Sequence, residues 1–349
     1  MSRASNAAID FGIVRLSSLG DIVQALALLG PLRRTGASAL WVVEARFGRV
    51  FDFLAEKSRV PCITWDRRLR SLPGLSARVR AQHGAVLSSV DIQGNLKSAL
   101  VARALRAQRR FAPHARDLRE AGARCFAARR AAPSSGPHVL DRGLAVVNAA
   151  TGTAYTRADL AQPPFLEQRA SSRAGAVFEG IEADSVVVVL QHLRDARALG
   201  LTLIDALVAR LSRDGRRVVM VAGPRERDLA WPPHWTVLRQ EGGLEDLIAL
   251  GTHVRDRCAF VVGPDCGATH VLRATGAATC FVFGPQDEER TGPIDGAGLH
   301  TVVKRRAEPA LACQPCLATT CRLAEGPRCM SEVQAEDIVA ALHRLRLRC

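Results

Sequence analysis

Residues Val261–Pro293 read VVGPDCGATHVLRATGAATCFVFGPQDEERTGP, and the punctuation of this stretch decides the fold class. The apolar run Ala259–Val262 reads as the end of a buried strand. Gly263-Pro264-Asp265-Cys266-Gly267 then gives a turn that holds a carboxylate and a permissive glycine. Thr269–Ala274 begins a helix, and Thr279–Phe283 is the next strand, closed by Gly284-Pro285. Strand, glycine-containing loop, helix and strand in that order predict a parallel α/β sheet. The carboxyl edge of such a sheet presents free backbone N–H groups and the positive end of a helix, where a phosphate is readily held. Asp265, Cys266, Gly267 and His270 are therefore candidates for an anion or nucleotide site. An ordinary strand-to-helix turn with a structural histidine has the same pattern, and both readings stand at this point.

The same alternation runs outward in both directions. Ser185–Leu190 (SVVVVL) is apolar throughout, as suits a strand covered on both faces, and Arg217–Ala222 is the next strand. Between them, Thr202–Arg213 puts Leu203, Leu207 and Leu211 on one helix face. In the first half, strands at Ile9–Leu16, Ala39–Val43, Pro61–Trp65 and within Ala85–Ile92 alternate with helical stretches at Ile22–Leu32, Phe47–Ala55 and Leu140–Ala150. A last helix is expected over Ala335–Arg346. A chain of 349 residues is long for one core. The aperiodic, proline-containing stretch Asp159–Phe165 marks a linker, giving one parallel-sheet domain over 1–160 and another over 161–349.

Polar residues gather where the strands end. Ser17-Ser18-Leu19-Gly20-Asp21 follows the first strand and opens a helix, so a helix cap is its plainest reading. Asp91-Ile92-Gln93-Gly94-Asn95-Leu96-Lys97-Ser98 is a strand end, a tight turn and a helix with Lys97 in its first turn. Nine arginines between Arg103 and Arg130 form either a solvated face or a rim whose planar forks collect phosphates and carboxylates. In the second half, Gln191–Arg197 leaves one strand and Gly223-Pro224-Arg225-Glu226 the next. Glu226 either accepts from vicinal hydroxyls or starts a helix.

Composition narrows the partners. A formal net charge of +14 favours polyanions: nucleic acid, an anionic membrane face or phosphorylated substrates. Aromatic residues are 5% of the chain, with one tyrosine, and do not interleave with the basic ones, so no nucleic acid is expected. No apolar run reaches the length of a membrane span, and the first residues lack a secretory core. The expectation is a cytoplasmic protein, resting through charge on the inner face of a membrane. Ten cysteines without an export signal favour reduced thiols over a disulfide framework. Cys313, Cys316, Cys321 and Cys329 are spaced C-x2-C-x4-C-x7-C, which suits a structural zinc or iron, with free thiols and redox disulfides as alternatives. No site histidine or carboxylate accompanies the four, so nothing in the pattern suggests a catalytic metal.

Three stretches together resemble glycosyltransferase family 9, the lipopolysaccharide heptosyltransferases. They are Ile13-Val14-Arg15-Leu16-Ser17-Ser18-Leu19-Gly20-Asp21-Ile22-Val23-Gln24, then Asp91–Ser98, then Asp265–His270 with Phe283-Gly284-Pro285 and Thr291-Gly292-Pro293. The resemblance implies a GT-B fold, with two Rossmann-like parallel-sheet domains facing a central cleft, acceptor on the first and nucleotide sugar on the second. It implies inverting, metal-independent transfer of heptose from ADP-heptose to a hydroxyl of an anionic glycolipid, the lipid A–Kdo core, or of a protein. Asp21 is then the general base, its proton affinity raised by desolvation as the second domain closes over it. Ser17, Ser18, Gly20 and Lys97 form the acceptor-side loops, Glu226 meets the ribose, and Cys266 and Gly267 hold the diphosphate. Two departures stand out. Cys266 replaces the family's usual threonine, and Gln191–Arg197 lacks its His-Pro-Gly and Trp, leaving Arg194 or Arg197 as the basic phosphate contact. That loop favours the competing expectation of a degenerate member, a nucleotide-sugar-binding or assembly protein without turnover. Cys313-Gln314-Pro315-Cys316 also resembles a stretch in members with a cysteine-bound metal.

Overall fold

The computed structural model describes residues 8–126, 129–168, 178, 180–226, 228–240, 242–294 and 298–345. The opening stretch 1–7 and the end of the last expected helix, Arg346, lie outside them. The chain divides into two compact units, Met1–Ala161 and Gln162–Cys349.

The first unit holds β1 (Ile9–Val14), β2 (Ala39–Glu44), β3 (Cys62–Trp65), β4 (Val86–Asp91), β5 (Arg109–Ala112) and β6 (Arg129–Arg130). Every neighbouring pair is parallel, in the order β3-β2-β1-β4-β5-β6. The second unit holds β7 (Val186–Val189), β8 (Val218–Ala222), β9 (Val237–Arg239), β10 (Phe260–Pro264), β11 (Ala278–Phe283) and β12 (His300–Lys304), again all parallel. Its order, β12-β11-β10-β7-β8-β9, is that of the first sheet when each unit's strands are counted from one. This is the doubly wound Rossmann order. It places the crevice that binds ligands at the carboxyl ends of the first and fourth strands, where the winding reverses. Those strands are β1 and β4 in one unit and β7 and β10 in the other.

Burial follows the apolar runs. β7 is buried at every position and β10 and β11 likewise, because helices cover both faces. The helix Leu201–Arg213 turns Leu203, Ile204, Leu207 and Leu211 inward, and the last helix, Ala335–His343, joins the same core through Ile338, Val339 and Leu342. In the first unit Val14, Leu40, Val42, Ile63, Trp65 and Val101 form the core. Some elements depart from the sequence reading. Ala45–Phe53 is a 3-10 stretch and not a regular helix. Leu72–His83 is a helix, a stretch that the sequence reading leaves unassigned. Its proline falls in the first turn, where the missing N–H costs nothing. No helix among the described residues is long and apolar enough to cross a membrane.

Candidate active site

At the switch point of the first sheet the chain leaves β1 through Arg15 and Leu16 into the Ser17–Asp21 turn. Ser18 caps the helix Leu19–Ala25, and Asp21 is the third residue inside it, so the capping reading is met. Asp21 Oδ2 accepts from the Ser18 N–H at 3.2 Å and from the Ser18 hydroxyl at 3.1 Å. Its other oxygen, Oδ1, lies 2.8 Å from Arg15 Nη2, and Arg119 Nη2 lies 3.6 Å from Oδ2. Burial alone would push this carboxyl up, but Arg15 and Arg119, with the Ser18 donors, outweigh it and hold the carboxyl below the usual carboxylate range. The expected rise in proton affinity is therefore absent in this state: desolvation is present, and two guanidiniums oppose it.

The β4 exit supports the same turn. Gln93 Oε1 accepts from Leu16 N at 2.7 Å and Ser17 N at 3.3 Å. Asp91 is buried, with Oδ1 accepting from the Gln93 and Gly94 N–H groups and Oδ2 from the Ser98 hydroxyl at 2.9 Å. Burial pushes its carboxyl up to about 6, against those hydrogen bonds and the nearby Arg15 charge. Gly94 has φ +73°, and a side chain there would also crowd Pro113. Gly20 is buried in the turn, while Lys97 is exposed in the first turn of the helix Leu96–Ala104.

At the switch point of the second sheet, Asp265 and Cys266 lead from β10 into the helix Gly267–Ala274, with Cys266 at its cap. The strand-loop-helix reading of the opening stretch holds. Gly263 gives Thr269 room against the strand: a Cβ there would collide with the Thr269 side chain and lie 3.0 Å from Val189 Cβ. The Cys266 thiol is buried and pushed up, because burial outweighs the bond from the Thr269 side chain, with Sγ and Oγ1 3.3 Å apart.

Three expected ligand contacts have other partners. His270 is buried, with Nε2 2.8 Å from Asp265 Oδ1, and Thr291 Oγ1 donates to Asp265 Oδ2 at 3.0 Å. The Asp265–His270 pair thus ties the turn to its own helix. Arg197 closes its fork on Asp195, Nε to Oδ1 at 2.8 Å and Nη2 to Oδ2 at 2.7 Å, while Nη1 donates to the Asp265 carbonyl at 3.1 Å. Its charge is already met, whereas Arg194 beside it is exposed. Glu226, after β8, is buried, its Oε1 3.9 Å from Arg225 Nε.

The four cysteines of the last stretch differ in exposure. Cys313 and Cys316 are exposed, Cys321 is half-buried and Cys329 buried. Burial, and then the neighbouring thiols of Cys316, Cys321 and Cys313, push the Cys329 thiol up to about 11. The four lie in one region. Even so, no group of three or more His, Cys, Asp or Glu among the described residues is placed to hold a metal. The backbone fastens this segment to the neighbouring loops. Leu317 N donates to the Pro285 carbonyl at 2.8 Å, and Ala196 N to the Thr319 carbonyl at 2.9 Å. Gln314 Nε2 bonds the carbonyls of Gly284 and Arg305 at 3.2 and 2.9 Å. Residues 314–319 form a strap across the exits of β11 and β7, an arrangement that the cysteine spacing does not announce. Of the dispersed cysteines, Cys258 is disulfide-bonded, while Cys62, Cys125, Cys266 and Cys280 are free.

Arg15 is the site residue that the sequence reading passes over. The signal was a lone arginine closing an apolar strand.

Two Rossmann-type sheets, each with polar residues at its switch point, match the GT-B fold of solved heptosyltransferase structures. The chain belongs to glycosyltransferase family 9, the heptosyltransferases, whose sequence profile matches residues 88–325. Its fold is similar to a family 9 glycosyl transferase from Veillonella parvula, at TM-score 0.70 and 15% identity, covering 97% of this chain and 98% of that one. It is similar to the E. coli heptosyltransferase WaaC with ADP, at TM-score 0.64 and 20% identity, covering 96% and 97%. It is also similar to TibC, a dodecameric iron-containing heptosyltransferase from enterotoxigenic E. coli, at TM-score 0.58 and 12% identity, covering 97% and 78%. No curated protein matches the sequence.

Proposed function

We propose that this glycosyltransferase moves heptose from ADP-heptose to a hydroxyl of an anionic glycolipid of the lipid A–Kdo type, with inversion. Asp21 takes the proton from the acceptor hydroxyl as that oxygen attacks the anomeric carbon and the bond to ADP breaks. The N–H groups at the start of Gly267–Ala274 receive the charge that develops on the diphosphate, each good donor contributing roughly 3–4 kcal/mol in comparable sites. The reaction assigns no step to a metal. The observation that carries this reading is the family match across residues 88–325, which contains the Asp265–Gly267 turn and its helix. WaaC, which shares the fold, is named with bound ADP. The exposed arginines of the first unit suit an acceptor bearing phosphates and acidic sugars, met at the inner face of the inner membrane. A protein hydroxyl is the other acceptor class.

The test is release of ADP from ADP-heptose with purified acceptor. The Asp21→Asn variant should lose about a hundredfold or more in kcat while binding ADP as the wild type does. Turnover unaffected by the substitution removes Asp21 as the base. A second reading, a nucleotide-sugar-binding protein without turnover, is favoured by one observation: Arg197 is closed on Asp195, in a loop that departs from the family pattern. ADP binding without turnover in the wild type would decide for it.

A further inference from the structure

Arg15 lies where a charge is expensive. Its side chain is 4% exposed at the end of an apolar strand, and burial works to lower its pKa. Taking an arginine out of water costs several kcal/mol, and an apolar residue of similar volume often serves stability as well or better. A stability role therefore does not account for it. Its contacts point to another role. Nη1 donates to the Ile92 carbonyl at 3.1 Å, which braces the guanidinium against the β4 exit. Nη2 then meets Asp21 Oδ1 at 2.8 Å, on the oxygen that Ser18 leaves untouched. A planar fork held at one end can present its other end in a fixed direction, which a lysine ammonium cannot do.

We propose that Arg15 is a positioning residue of the transfer reaction: braced on Ile92, its guanidinium fixes the direction of the Asp21 carboxylate and keeps it ionised. This rests on the reading of Asp21 as the base. Among the described residues, the groups facing Asp21 are Arg15 from the exit of β1, Arg119 from the segment after β5, and Ser18 from its own turn. Asp91, at the end of β4, acts on it through Arg15, whose charge it shares.

The experiment is the pH profile of kcat/KM for the acceptor in the full-length protein, with ADP-heptose saturating, for the wild type, Arg15→Gln and Arg15→Lys. ADP titration and thermal unfolding accompany each variant. Loss of the guanidinium leaves burial less opposed. The acid limb of Arg15→Gln should thus rise by about one pH unit, a tenfold loss on the limb, with a smaller loss on the alkaline plateau. Arg15→Lys, which keeps the charge and gives up the brace, should lower kcat severalfold and leave the limb in place. A merely structural arginine would lower the plateau and the melting temperature without moving the limb, so an unmoved limb in Arg15→Gln overturns the proposal. If Arg15→Gln fails to bind ADP, the lysine variant decides: wild-type turnover at every pH overturns the proposal, and reduced turnover on an unmoved limb supports it. Asp21→Asn separates the two claims. If that variant keeps its turnover, the base assignment itself has failed, whatever the Arg15 profiles show.

Discussion

Two aspartates at the first switch point are both raised by burial and both lowered by Arg15, yet they end on opposite sides of the ordinary carboxylate value. Asp21, in direct contact with Arg15 and within reach of Arg119, is held below its ordinary range, while Asp91, which feels Arg15 only at a distance, is raised to about 6. The raised group has a consequence for stability. Between its ordinary value near 4 and 6 the folded state binds more protons at Asp91 than the unfolded chain does. Its contribution is thus favourable below that window and is lost as the pH rises through it. Asp91→Asn keeps a carbonyl for the Gln93 and Gly94 N–H groups and removes the titration. It should raise stability at pH 8 by about 1–2 kcal/mol, read as a higher melting temperature that disappears at pH 4. Neither fate was legible from the sequence. Asp21 and Asp91 both read as carboxylates at strand ends, and their difference comes from which of them Arg15 touches across a sheet.

Among the elements, strands with continuous apolar runs declared themselves. β7, β10 and β11 are legible because both faces are covered. β5 (Arg109–Ala112) was hidden in an arginine-rich stretch, since two of its four residues are arginines, Arg109 exposed and Arg110 half-buried. The strap was hidden more deeply. Its position is fixed by backbone groups, which have no residue signature, and its cysteines suggested a metal instead. Because Gln314 bonds Gly284 and Arg305, and Thr319 holds Ala196 next to Arg197, loosening the strap should disturb the donor loop before the chemistry. Gln314→Ala removes the side chain's bonds at a half-buried site, a loss of about 1–2 kcal/mol. The KM for ADP-heptose should rise several-fold with little change in kcat. An unchanged KM in steady-state assays would show that the strap and the donor loop are independent.

At the scale of the molecule, the two units repeat one strand order without a visible sequence repeat, so the duplication is legible only as alternation and never as identity. The formal charge of +14 belongs to this scale too. Its field acts over about a Debye length, roughly 8–10 Å at physiological salt. Binding to vesicles rich in anionic lipid should accordingly weaken steeply with ionic strength, by sedimentation at low and at roughly 0.5 M salt. Salt-independent binding would assign the contact to apolar side chains. The absent methyl group at Gly263 has a different consequence. Thr269 occupies the room that any side chain at 263 would need, and Val189 closes the third wall. The seat of the helix Gly267–Ala274 is therefore machined into the sheet itself: the helix fits as a key in its ward, and even an alanine would lift it out of alignment with β10.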